Sequence, residues 1–313
     1  MMSPTANPTL PLLHVGRGAQ YGALTLFPVW ADGGAATGLE WDLGALDVAE
    51  HDGGGQVNSL AAINSGDKPV VLLEGDLLEG GWQTRMIARS TILGPHETTN
   101  LAALCVEQGR WESSGNRGHR AAGRRVSASL RAARDRACRR GDDPQHEVWH
   151  GIASRYETNV RTATSSFADH LDRVARERSR RTERPLPAKP LAGQRGVIIG
   201  IGGRVLGMEL LATPNALAKR WTGILEAARF DADRAPEAAT SGQRARDFAV
   251  KVECAHLDVA RESASVVTLA ADRRSLHLSG IALPEPVRSI DGEFWRIVHL
   301  AAYDQAHPLL AGV

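Results

Sequence analysis

The fold is decided by residues 196–211, GVIIGIGGRVLGMELL. Two apolar runs, Gly196–Ile201 and Arg204–Leu211, flank the pair Gly202-Gly203, which suits the type I′ turn of a β-hairpin. A G-x-G-x-x-G dinucleotide fingerprint would need glycine at position 205, where Val205 stands, and a helix after the glycines. The stretch therefore predicts an antiparallel hairpin.

The region after the hairpin, 195–313, predicts an α+β layer. Thr213-Pro214 has the cap and first-turn proline of a helix that runs to about residue 228. A second helix is expected at 243–259. Apolar runs at 265–270, 276–283 and 294–303 indicate strands. This ββααβββ order is typical of helices packed on an antiparallel sheet.

The region before the hairpin divides into strands and then helices. Turn formers separate short apolar runs over 20–116, which predicts an antiparallel β-sandwich-like region or a barrel. Expected there are a short helix at 43–50 and strands at 24–30, 57–63, 70–74, 86–93 and 101–107.

An arginine-rich helical region is expected at 117–181. It includes a helix from Pro144 to about Tyr156 and another capped by Ser165 or Ser166. Three prolines indicate a linker at 182–194. Residues 1–19 are expected to be disordered or extended.

The composition favours a globular cytoplasmic protein. The 313 residues carry a net charge of +1 with 23% charged residues, which excludes a disordered acidic or basic tail protein. No apolar run approaches the roughly 18 residues of a membrane span, and the first residues do not resemble a signal peptide. Three scattered cysteines fit a reducing compartment.

The basic residues concentrate in one segment. Residues 117–184 hold 17 arginines against 9 acidic residues, a local net charge of +8. One interpretation is a surface for nucleic acid or another polyanion, because arginine pairs well with phosphate. The other interpretations are solvated cations that reflect coding bias, or intramolecular partners for the acidic remainder of the chain.

The motif His146-Glu-Val-Trp-His150 matches H-E-x-x-H. On a helix both imidazoles share one face and could bind zinc, with Glu147 as general base. The third ligand is left open among Glu157, Asp169 and His170. Two surface histidines on a helix are the alternative interpretation.

Polar and ionic side chains lie at the ends of two apolar strands. They lie in LLEGDLLEGGWQTR, residues 72–85, and in LCVEQGRW, residues 104–111. Carboxylates there could do acid–base work or hold a cation, and two arginines could hold an anion. A structural salt-bridge network is the alternative. The side chains concerned are Glu74, Asp76, Gln83, Arg85, Glu107 and Arg110.

These two stretches resemble the bacterial ARG and rhodanese-phosphatase-superfamily-associated protein domain. The resemblance rests above all on Cys105–Trp111, and more loosely on Gly75, Gly80 or Gly81, Gln83 and Arg85. It extends to Trp149, to the hairpin and to His299, so that it covers residues from about 20 to 303. Two positions depart from the family pattern: Asp76 replaces a glutamate, and Thr84 replaces an asparagine.

The resemblance implies a role in NAD or ADP-ribose metabolism, because genes of the family are associated with genes for ADP-ribosylglycohydrolases. We expect the chain to bind a phosphorylated nucleotide metabolite. Hydrolysis of this metabolite is a candidate activity. Glu74 and Glu107 would be the catalytic carboxylates. The ligand-binding candidates are Asp76, Gln83, Arg85, Gln108, Arg110, Trp111 and His299, with the arginines on the diphosphate and Trp111 stacked on a base.

Two other functions stay open at this point. One is a non-catalytic module that binds protein or nucleic acid through the arginine-rich helices, and the other is a zinc hydrolase that uses His146, Glu147 and His150. The sequence predicts no membrane partner, and it identifies neither a cofactor nor an oligomeric state.

Overall fold

The computed structural model describes residues 10–110, 116–156, 166–179, 184–263, 266–273, 275–289 and 292–311. The strands in these ranges are β1 Leu13–Val15, β2 Ala19–Tyr21, β3 Leu24–Ala31, β4 Leu46–Ala49, β5 Ser59–Asn64, β6 Val70–Leu72, β7 Asp76–Gly80, β8 Arg85–Ile87, β9 Thr91–Leu93, β10 Thr98–Cys105, β11 Gly118–Arg125, β12 Gly196–Ile201, β13 Arg204–Leu211, β14 Asp258–Arg261, β15 Val267–Arg273, β16 Leu276–Ser289 and β17 Gly292–Tyr303. The helices are α1 Ala128–Arg140, α2 Pro144–Tyr156, α3 Phe167–Ser179, α4 Pro214–Asp231 and α5 Gly242–Glu253. The α+β class is confirmed.

Two compact units make up the chain, and each combines segments that are distant in sequence. The first unit contains the residues up to Thr37, Pro185–Trp221, and the residues from Arg234 onward. The second unit contains Gly38–Arg184 and Thr222–Asp233. The regions expected from the sequence, by contrast, are each continuous along the chain.

The first unit is built on a nine-stranded antiparallel sheet. Its order is β1-β3-β12-β13-β17-β16-β15-β14, with β2 also paired to β3. The predicted hairpin lies near the middle of this sheet, with Ile201 opposite Arg204. Gly202 and Gly203 have φ angles of 58° and 82°, the left-handed values that a type I′ turn requires.

The sheet departs from the predicted ββααβββ layer in two respects. An additional strand, β14, follows the helices, because α5 ends at Glu253 and not at residue 259 as predicted. Strand β3, which we expected in the N-terminal β-rich region, pairs instead with β12. Helix α5 packs on the sheet through Phe248 and Val252, which share a core with Phe27, Ile198 and Leu300.

The second unit contains a closed antiparallel barrel, which is one of the two arrangements predicted for this region, and not the sandwich-like alternative. The strands β10-β5-β4-β11-β7-β8 form the barrel, and β10 closes it by pairing with both β5 and β8. Strands β6 and β9 form a separate two-stranded sheet. A sandwich and a barrel have the same alternation of strands and turns, so only the pairing of β10 distinguishes them.

Three local predictions in this unit are wrong. Residues 43–50 contain strand β4 and no helix, since Leu46 to Ala49 alternate between buried and more exposed positions with a period of two. The single strand expected at 86–93 is two strands, β8 and β9. Residues 122–125, expected to be helical, end strand β11.

The helices of the second unit share one core. Helix α2 begins at Pro144 and ends at Tyr156, as predicted. Ser127 caps α1, with its hydroxyl accepting from the Leu130 amide at 3.4 Å. Leu77 and Met86 of the barrel pack against side chains from the helices. These helical side chains are Leu130, Val148, Ile152, Phe167 and Phe230. Within the described ranges, no helix is both long and apolar enough to span a membrane.

The approach of β13 to β17 depends on a glycine. A Cβ added at Gly207 would overlap the backbone carbonyl oxygen of Ala302 on β17. We expect Gly207→Ala to lower the free energy of unfolding by about 1–3 kcal/mol, because the two strands must separate. Urea unfolding measures this loss.

The control is Gly53→Ala, since a Cβ at Gly53 would have no neighbour within 4 Å. Equal stability of the two variants would contradict the close approach of β13 and β17.

Candidate functional site

The strand register brings five chain segments to one end of the barrel. His119, near the start of β11, lies opposite Gly80 at the end of β7. Arg85, at the start of β8, lies opposite Cys105 at the end of β10. Glu50, which follows β4, reaches the same end because Ala49 pairs with Gly118. We call the polar side chains gathered here the Glu107 cluster: Glu50, Gln83, Arg85, Glu107, Arg110 and His119.

Arg85 lies at the centre of this cluster and has no exposed side-chain surface. Its Nη1 donates to Gln83 Oε1 at 2.6 Å, and its Nη2 lies 3.8 Å from Glu50 Oε1. Gln83 in turn donates from Nε2 to the backbone carbonyl of Glu107 at 3.2 Å. The predicted residues Gln83, Arg85 and Glu107 are therefore joined by direct contacts.

Glu107 and Arg110 form the outer part of the cluster. Glu107 Oε2 accepts from the Thr84 amide at 2.9 Å and from Arg110 Nη2 at 2.7 Å. Arg110 Nη1 also donates to the Gly81 carbonyl at 3.0 Å. The Arg110 side chain is 20% exposed, whereas that of Glu107 is 7% exposed. Arg110 is thus a positioned guanidinium with access to solvent.

Sequence reasoning missed the pair of Glu50 and His119. Their side chains are fully buried, and His119 Nε2 lies 3.1 Å from Glu50 Oε1. Burial lowers the pKa of His119, while the Glu50 carboxylate opposes this change. A Cβ at Gly81 would overlap the His119 ring. The glycine pair at 80–81 was the one local signal that a bulky group approaches the backbone here.

A second carboxyl group lies near Glu107, at the start of α3. Ser166 forms a β-bridge with Glu107, and Asp169 follows in the first turn of the helix. The pKa of Asp169 is raised by partial burial and by the negative charge of Glu107. Two carboxyl groups in different environments can divide the roles of acid and base.

Glu74 belongs to a separate cluster at the opposite end of the barrel. We call it the Glu74 cluster, and its members are Glu74, Asp76, Arg125, Arg134 and Asp135. Asp76 and Arg125, which begin β7 and end β11, are opposite each other in the register. Glu74 Oε2 lies 2.9 Å from Arg134 Nη2, and Arg134 Nη1 lies 2.6 Å from Asp135 Oδ1. The five residues of β7 span about 13 Å, so Glu74 and Glu107 do not meet.

Burial and the neighbouring Asp135 raise the pKa of Glu74, and the Arg134 guanidinium opposes them. Arg125 donates from Nη2 to the Glu74 carbonyl at 2.7 Å, and its Nε lies 3.3 Å from Asp76 Oδ1. These contacts have the form of the structural salt-bridge network that we considered as the alternative to a binding site.

The remaining ligand-binding candidates are scattered. Gln108 is exposed beside the Glu107 cluster. Trp111 lies outside the described residues. His299 belongs to the first unit, where its Nε2 lies 2.6 Å from Glu209 Oε2, and both side chains are buried.

The two histidines of the H-E-x-x-H motif are on the exposed face of α2. Their rings stack with centroids 6.5 Å apart. Of the possible third ligands, Glu157 lies outside the described residues, while Asp169 and His170 are on α3. Among the residues that the structure describes, no group of three His, Cys, Asp or Glu side chains could hold a metal ion.

Several arginines of the basic segment have partners within the chain. Arg124 contacts Asp172 at 2.8 Å and Glu79 at 3.4 Å, and Arg125 and Arg134 belong to the Glu74 cluster. Arg120 and Arg140 are exposed. These contacts favour the intramolecular interpretation of the local positive charge.

The fold and site define a protein with a closed antiparallel barrel and buried ionic clusters at both barrel ends. Residues 12–303 match the ARG and Rhodanese-Phosphatase-superfamily-associated Protein domain, ARPP-1, and the chain belongs to this family. Comparison with curated proteins and with solved structures finds no match.

The burial of His119 generates a pH prediction. In the unfolded chain histidine has a pKa of about 6.5, and the folded state binds the proton less readily. Lowering the pH through this value therefore favours unfolding. We expect wild type to lose more stability between pH 7.5 and 5.5 than His119→Gln, as measured by urea unfolding.

The matched variant His150→Gln, which changes an exposed histidine of the same unit, should follow the wild-type pH profile. Parallel profiles for wild type and His119→Gln would show that the pKa of His119 is not lowered.

The Glu74 cluster generates a second prediction. Arg134→Met removes the guanidinium that contacts both Glu74 and Asp135. We expect a loss of about 3–5 kcal/mol in the free energy of unfolding, since a buried carboxylate loses its partner. Adding Glu74→Gln should restore part of the loss.

Arg140→Met, at an exposed position of the same helix, is the control and should change stability little. Additive effects of Arg134→Met and Glu74→Gln would be evidence against a direct interaction.

Proposed function

We propose that this protein binds a phosphorylated nucleotide metabolite at the Glu107 cluster. The observation that carries the proposal is the position of Arg110. Its guanidinium is held by Glu107 and by the carbonyl oxygens of Gly80 and Gly81, yet keeps exposed surface. A preorganised guanidinium suits the bidentate recognition of a phosphate group.

Arg85 takes a different role from the one suggested by the sequence. Because its side chain has no exposed surface, it is assigned to positioning Gln83 and Glu50 and not to contact with the diphosphate. Direct contact with the anion then falls to Arg110. Gln108, exposed beside it, can add a hydrogen bond to the ligand.

The nucleotide part of the proposal rests on association. The family is named for its association with ARG, which we take to mean ADP-ribosylglycohydrolases, and with the rhodanese-phosphatase superfamily. ADP-ribose carries a diphosphate and an adenine, so it is the first ligand to test. This support comes from the association recorded in the family's name, and it is separate from the support given by the geometry of Arg110.

Hydrolysis would use the two carboxyl groups beside Arg110. Glu107 is the candidate base for a water molecule that attacks phosphorus, and Asp169, with its raised pKa, is the candidate acid that protonates the leaving oxygen. Attack of water on the diphosphate breaks the bond between the two phosphates and gives AMP and ribose 5-phosphate. Their formation from ADP-ribose, measured by chromatography, tests this step separately from binding.

The test of binding is Arg110→Ala in a thermal-shift titration with ADP-ribose. A ligand at about 100 times its dissociation constant stabilises wild type by about 2.7 kcal/mol. Loss of a charged hydrogen-bond donor costs about 1.5–3 kcal/mol, so we expect affinity to fall about 10- to 100-fold. Arg110→Lys should recover only part of it, because lysine cannot bind in a bidentate manner.

The control is Arg89→Ala, since Arg89 is an exposed arginine that follows β8, away from the Glu107 cluster. Wild-type affinity in Arg110→Ala, in a variant that unfolds as wild type does, would refute the proposal. So would the absence of any shift in wild type with ADP-ribose, NAD and AMP.

A further inference from the structure

The first unit contains a cavity that the proposed function does not use. Its volume is about 530 Å³, within the range of small-molecule sites. It lies between the β1–β2 segment, strand β3 and the start of α5. Side chains that could contact a polar ligand there are Arg17, Gln20, Thr25, Thr240 and Arg246.

The lining of this cavity is positively charged. Arg17 and Arg246 both belong to it, and none of the residues that line it is acidic. Two guanidinium groups without a carboxylate in the same wall give a positive potential, which a concave surface concentrates. These charges favour an anion as the occupant of the cavity.

The start of α5 adds to this potential. Ser241 caps the helix by accepting from the Arg244 amide at 3.3 Å, and its carbonyl accepts from Ala245. The N–H groups of Gly242 and Gln243 have no acceptor within the helix. The first turn contains no acidic residue. The positive end of the helix dipole is thus open at the cavity wall.

Arg246 is held over this positive helix end. Its Nη1 lies 3.3 Å from the place that a Cβ on Gly242 would take. Its Nη2 donates to Gln243 Oε1 at 2.9 Å in the same first turn. A cation at a helix N-terminus is electrostatically unfavourable, and a bound anion would relieve this repulsion.

We propose that this cavity is a second ligand site, which binds a small molecule bearing a phosphate group. Arg17 and Arg246 contact the phosphate oxygens from two sides, and the amides of Gly242 and Gln243 can donate to it. Thr25 and Thr240 also belong to the wall. The site is independent of the Glu107 cluster.

The test is isothermal titration of the full chain with pyrophosphate and with AMP, at constant ionic strength. Probes are added to wild type and to the double variant Arg17→Gln/Arg246→Gln. We expect the double variant to bind at least about tenfold more weakly, since each lost contact is a charged hydrogen bond. Arg110→Ala should keep this binding event, which separates it from the proposed function.

Two further measurements keep the result interpretable. Lys251→Gln, which removes one charge from the exposed far end of the same helix, should bind as wild type. Arg246→Gln without ligand should melt at the wild-type temperature or above, because the repulsion at the helix start is gone. Equal binding by wild type and the double variant, or no binding of either probe by wild type, would overturn the proposal.

Discussion

Closure of the barrel by β10 is the constraint on which the second unit depends. This strand pairs with β5 along one edge and with the three-residue strand β8 along the other. Because β8 is so short, the segments on either side of it leave the barrel immediately at its two ends. The charged residues near these two ends, Arg85 and Glu107 at one and Asp76 and Arg125 at the other, are buried, and each therefore needs a partner.

The arginine-rich segment supplies many of these partners. Arg125 and Arg134 are buried with Asp76 and Glu74, and Arg124 connects β11 to Asp172 on α3. Taking a guanidinium out of water is costly unless hydrogen bonds and counter-charges replace the solvent. The positive charge of the segment is therefore partly matched inside the unit, which weakens the case for a nucleic-acid surface.

The two barrel ends differ in a way that bears on function. The contacts found for the Glu74 cluster are those of a structural ion network, and the side chains of Glu74 and Arg134 are almost fully buried. At the other end, Arg110 keeps exposed surface beside Glu107, and Asp169 lies close enough for its pKa to respond to that carboxylate. The same kinds of residue thus serve packing at one end and are available to a ligand at the other.

Local sequence determined the elements whose information is contained in a few neighbouring residues. The Gly202-Gly203 turn, the start of α2 at Pro144 and the family-specific run from Cys105 are of this kind, because backbone angles and first-turn capping depend on adjacent residues. The grouping of Gln83, Arg85, Glu107 and Arg110 was also expected, from polar residues at strand ends. Tertiary structure alone decided the rest: the pairing of β10 closed the barrel, separated Glu74 from Glu107, and brought Glu50 and His119 to Arg85. Those contacts join residues up to 69 positions apart, and no local pattern encodes a pairing over that distance.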